Sequence, residues 1–157
     1  MAPALLDTNV LVYAAYRRSP LHEAAALLVE RGLKQRGVFC IAPQNLVEFA
    51  AVVTRRRQND HPLPTNQLLR ISDLLYRSRT LTKIYPRRGT VARAIGEGAR
   101  LEISGSAWYD LFLALTMRDA GVRSIVTENI SDFERLPFVV ARRISEEAGR
   151  AEQSDPS

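Results

Sequence analysis

The sequence predicts an α/β fold built on a central, mostly parallel sheet of four to five strands with helices on both faces. Three observations carry this. Short, uniformly apolar runs such as "APALL", "VFCIA" and "SIVT" recur along the chain, as strands buried on both sides require. Longer segments with helical start and stop signals alternate with them. The 157 residues, 46% hydrophobic and 25% charged, suit one domain with a real core. We place that domain at 1–145 and expect a flexible tail at 146–157, where Glu, Ser and Arg dominate.

The elements follow in order. "APALL" ends at Asp7 and reads as the first strand, and "NVLVYAAY" as a short helix. "SPLHEAAALLVERGLKQRG" has Ser19 as N-cap, Pro20 at the first helical position and Gly37 past its end. "VFCIA" is the second strand, and Pro43 opens a helix to about Arg57. "NDHPLPTN" is a loop, after which Thr65 caps a helix through Tyr76. "TLTKIY" is a third strand. Thr90 caps a helix to about Glu102, weakened by Gly96 and Gly98. "AWYDLFLALTMRDA" is a strong helix with Gly121 as its stop, followed by "SIVT" and then "FVVA" as a fifth strand. There is no internal repeat and no phosphate-binding Gly loop.

Composition excludes several classes. A single cysteine, Cys40, rules out an internal disulfide and a multi-cysteine zinc site. No apolar run approaches the ~20 residues that span a bilayer. The N-terminus lacks the charged region and cleavage site of a signal peptide, so the cytoplasm is the expected compartment. Charge is uneven. Residues 54–100 hold eleven Lys/Arg against three acids, a net +8, which leaves −3 elsewhere in a chain of +5. That is the footprint expected for a polyanion partner, or a solvated arginine-rich surface.

Four acidic positions stand out. Asp7 closes the first strand, where the ligand crevice of a parallel sheet lies. Glu48 is the one charge in "APQNLVEFAAVV" and sits about a turn into its helix. Asp110 repeats that pattern in "AWYDLFLALTM", and "TENISDF" offers Glu128 and Asp132 after the fourth strand. Each has an ordinary alternative: Asp7 as a helix cap, Glu48 reaching solvent past small alanines, Asp110 serving the helix dipole, the loop acids simply solvated. Together they fall at the carboxyl ends of three strands. Two carboxylates 4 Å apart repel by about 4 kcal/mol at an effective dielectric of about 20. Convergence therefore demands a cation, and an oxygen-only set selects Mg²⁺ or Mn²⁺.

The order "LLDTNVLVYA", "NLVEFAAVV", "WYDLFLALTMRDAGVRSIVTENISDF" resembles the PIN-domain ribonucleases, specifically the VapC-type toxins of bacterial toxin–antitoxin pairs, over Leu5 to Val140. The resemblance implies a three-layer α/β/α fold. It also implies a Mg²⁺-dependent endoribonuclease cutting RNA by metal-activated water, an antitoxin partner and a homodimer. Asp7 and Asp110 match the metal-holding acids, Glu48 the third acid, and Asn9 and Thr127 the polar positions lining the site. The chain departs from the family at Asn129, where many relatives carry Asp. Asp132 or Glu128 is then the fourth acid, and we favour Asp132. Aspartyl-nucleophile phosphatases would need a second Asp at Asn9. A PIN-like domain that binds RNA or a partner without cutting is the remaining alternative.

Overall fold

The computed structural model describes residues 2–55 and 61–154. Five strands, β1 (Ala4–Leu6), β2 (Phe39–Ile41), β3 (Thr82–Lys83), β4 (Ser124–Val126) and β5 (Val140–Arg142), form one sheet in the order β3-β2-β1-β4-β5. Every pairing is parallel. Among the described residues seven α-helices join them: α1 (Thr8–Ala15), α2 (His22–Lys34), α3 (Pro43–Val53), α4 (Thr65–Arg77), α5 (Thr90–Arg100), α6 (Ala107–Asp119) and α7 (Ile144–Gln153).

The side-chain alternation of each strand divides the core into two layers. Ala4, Leu6, Phe39, Ile41 and Val126 pack with α1, α2, α3, α4 and α7. Leu5, Cys40 and Ile125 point the other way, against α5 and α6. Leu5 and Leu6 are both fully buried, each worth about 1.5–3 kcal/mol of hydrophobic stabilisation. This two-sided burial is why the strands read as unbroken apolar runs. It gives the three-layer α/β/α architecture, with helices on both faces of a parallel five-stranded sheet.

Several boundaries differ from the sequence expectation. Helix α2 begins at His22, and Ser19 caps the preceding turn, its hydroxyl accepting from the Leu21 amide at 3.2 Å. Helix α3 ends at Val53, where the Thr54 hydroxyl donates back to the Ala50 carbonyl; Arg56 and Arg57 lie outside the described residues. So do Asn59 and Asp60 of the expected loop. Gly98 assists α5 rather than weakening it: a Cβ there would come within 2.3 Å of the Trp108 ring, so its absence lets α5 and α6 approach.

The flexible tail is a larger correction. Residues 146–153 belong to α7, so the domain runs past 145. Ile144, Ala148 and Ala151, spaced four and three apart, bury one face in the same layer as α2. Two of these three are alanines, too small to show as an apolar stripe among Glu and Arg.

Candidate active site

Strand β1 lies between β2 and β4, so the chain winds to one side of it first and the other side later. Sheets of this kind open a crevice at the carboxyl ends of the strands flanking that reversal. Asp7 follows β1 there. Its backbone N–H donates to the Val126 carbonyl at 3.0 Å, which extends the sheet and fixes the side chain over the crevice. One carboxylate oxygen caps α1 by accepting from the Thr8 amide at 2.7 Å. The other accepts from the Thr127 hydroxyl at 2.7 Å and the Asn9 amide at 3.2 Å. Asp7 is 9% exposed, and burial raises its pKa despite these bonds, with the charges of Glu48 and Asp132 adding to the rise. Capping and site placement thus coexist, one oxygen for each.

Glu48 stands in the second turn of α3, a helix opened by Pro43 and by the Asn45 side chain, which accepts from the Ala42 amide at 2.8 Å. Its half-buried carboxylate accepts from neutral groups, the Thr8 hydroxyl at 3.0 Å and the Gln44 amide at 2.7 Å. Asn45 in turn donates to the Thr8 hydroxyl at 3.3 Å. Asp110 occupies the first turn of α6. Its carboxyl is pushed up to about 7, by burial first and then by the charges of Asp132, Asp7 and Glu48.

The loop after β4 divides its two acids. Glu128 faces away from the others, accepting from the Ile144 amide at 2.8 Å and lying 3.5 Å from the Arg143 guanidinium, so it holds the start of α7. Asp132, in a 3₁₀ turn over Ile130–Phe133, is exposed yet close enough to raise both Asp7 and Asp110. The structure therefore brings Asp7, Glu48, Asp110 and Asp132 to one crevice and leaves Glu128 out. Asn9 and Thr127 are joined at 2.9 Å beside Asp7, and Asn129 donates its backbone N–H to the Thr127 hydroxyl at 3.0 Å. Thr8, Gln44 and Asn45 complete the network, and the sequence reading did not include them. Gln44 lies four residues before Glu48, a spacing that pairs side chains on a helix.

Among the described residues no three His, Cys, Asp or Glu side chains are already arranged to hold a metal ion. Mg²⁺ asks for less, since it keeps several waters and takes one or two carboxylates. The donor set is all oxygen, and the charges of Asp132, Asp7 and Glu48, which add to the effect of burial in raising the Asp110 pKa, are what a cation would offset. On that chemistry the residues fit a hard divalent ion. Beside the acids lies a groove of about 420 Å³ lined by Glu48, Asp110, Val47, Arg55, Ser106 and Tyr109.

No curated relative matches the chain. Among solved structures, VapBC2 from Rickettsia felis, bound to a DNA fragment from their promoter, is 19% identical with a TM-score of 0.61, covering 89% of this chain and 97% of that one. VapC20 from Mycobacterium tuberculosis, a sarcin-ricin loop cleaving toxin, is 13% identical with a TM-score of 0.61 over 83% and 95%. VapBC-1 from nontypeable Haemophilus influenzae is 16% identical with a TM-score of 0.59 over 90% and 98%. Likeness at such identity shows a shared fold. The PIN domain model matches residues 4–139, from the first residue of β1 to the one before β5. With most of its length and its whole acid crevice inside that match, the chain belongs to the PIN-domain family.

Proposed function

We propose that the protein is a Mg²⁺-dependent endoribonuclease, the toxin of a VapC-type toxin–antitoxin pair, acting in the cytoplasm. The observation that carries this reading is Asp7 at the end of β1, held by Thr127 and Asn9 in a chain that the PIN domain model matches over residues 4–139. In the proposal Asp7 and Asp110 hold Mg²⁺ or Mn²⁺, and Glu48 and Asp132 complete the acid set. When bound, the ion supplies activation of water and neutralisation of charge on the phosphodiester. The chain's own residues prepare the site. Thr127 and Asn9 orient Asp7, and Thr8 and Gln44 orient Glu48.

The partners are proposed on surface chemistry and on the relatives. The similar structures include toxin–antitoxin complexes, and the exposed Leu69 and Leu74 of α4 and Val91 and Ile95 of α5 are apolar surface of the kind that antitoxin or homodimer contacts cover. The basic segment would contact the RNA backbone, with less charge than its composition suggests. Arg77 and Arg93 are paired with Asp73 and Asp119, Lys83 donates to backbone carbonyls, and Arg56 and Arg57 lie outside the described residues. No helix among the described residues is long and apolar enough to cross a membrane.

The second reading, a PIN-like domain that binds without cutting, draws on the lack of a ready-made three-ligand cage among the described residues. One experiment separates the two. Purified protein incubated with total bacterial RNA should cleave it with Mg²⁺ and not with EDTA, and Asp7→Asn or Asp110→Asn should abolish cleavage while circular dichroism stays unchanged. Normal cleavage by Asp7→Asn would refute the mechanism.

A further inference from the structure

Gln44 does something that neither fold nor family assigns. Its side-chain nitrogen uses both hydrogens across two helices, donating to the Glu48 carboxylate at 2.7 Å and to the Tyr109 carbonyl at 3.0 Å. Tyr109 immediately precedes Asp110 in the first turn of α6. One amide thus ties the acid of α3 to the turn that carries the acid of α6. The oxygen of the same amide is the one buried side-chain polar atom without a partner among the described residues.

That orphan is informative. A buried acceptor left unmade costs its desolvation with no return, and such groups in native proteins call for an explanation. Turning the amide over would set its oxygen against two acceptors, a carboxylate and a carbonyl, so the orientation is dictated by Glu48 and Tyr109. Holding both donors on the site leaves that oxygen without a protein partner among the described residues.

We propose that Gln44 is a positioning residue that sets Glu48 against Asp110 for RNA cleavage, at a cost to the stability of the fold. The inference rests on the nuclease reading above. Its signature is that activity and stability separate. Gln44→Met keeps the length and helical preference of the side chain while removing both the donors and the stranded oxygen. The two acceptors it abandons are within reach of water, since Glu48 is half-buried and the bond to Tyr109 lies at the surface.

The test uses the full chain, an end-labelled random-sequence oligoribonucleotide with Mg²⁺, and thermal melting. Gln44→Met should lower kcat by roughly tenfold to a hundredfold, the range expected when a reacting group is misplaced by up to an ångström. KM should stay within about twofold, because remote binding contacts are untouched. The melting temperature should be equal to or higher than that of the wild type. Gln44→Ala should lose kcat to a similar extent. Unchanged kcat in both variants overturns the proposal, as does loss of activity accompanied by a lower melting temperature in both. Failure of the wild type itself to cleave with Mg²⁺ would instead refute the nuclease reading.

Discussion

At the scale of single residues, the site turns on two carboxyl groups, Asp7 and Asp110, whose ionisation is disfavoured by burial first and by neighbouring acids second. Asp110 makes the clearest case, raised from an ordinary 3.8 to about 7. The sign of its effect on stability follows. The folded protein holds this proton between about pH 4 and 7 while the unfolded chain has released it, so in metal-free buffer stability falls as pH rises through that window. In EDTA at pH 8, Asp110→Asn should therefore raise stability by about 1–2 kcal/mol, a figure reduced for the partial solvent screening of the site. Urea melts of both proteins at pH 5 and pH 8 check this, with the difference shrinking at the lower pH. The acids themselves stood out in the sequence, because an acid inside an otherwise apolar helix needs a reason. The choice between Glu128 and Asp132 was not. It depends on the Ile144 amide, sixteen residues beyond Glu128, which claims that side chain.

At the scale of elements, the strands and the helices between them were readable because two-sided burial leaves unbroken apolar runs. Helix α7 was not, since its buried face is one isoleucine and two alanines. Its docking makes a prediction: Glu128→Ala should remove the acceptor at its first turn and destabilise the protein by about 1 kcal/mol. Faster hydrogen exchange confined to α7 would check it. The α5–α6 contact gives a second. Gly98→Ala would force a methyl group within 2.3 Å of Trp108 and should lower stability by about 1–3 kcal/mol in thermal or urea melts. The same contact shows what helix propensity alone omits in α5: the cost of glycine is offset by the close approach that it allows.

At the scale of the whole molecule, the sheet order puts β1 between two separately wound halves, so residues as distant in sequence as Asp7, Glu48, Asp110 and Asp132 reach one crevice. On the proposed RNA-binding reading, the association constant should fall steeply between 50 and 200 mM salt, by about tenfold or more if several phosphates are contacted. Fluorescence anisotropy at several salt concentrations measures it. The central claim is that these acids share one divalent ion. Calorimetric titration of Mg²⁺ or Mn²⁺ into the metal-free protein near pH 7 tests it most directly. We expect a single saturable site with proton release in the wild type, weakened by at least about tenfold in Asp7→Asn and Asp110→Asn. Equal binding by all three proteins, or none by the wild type, would contradict it.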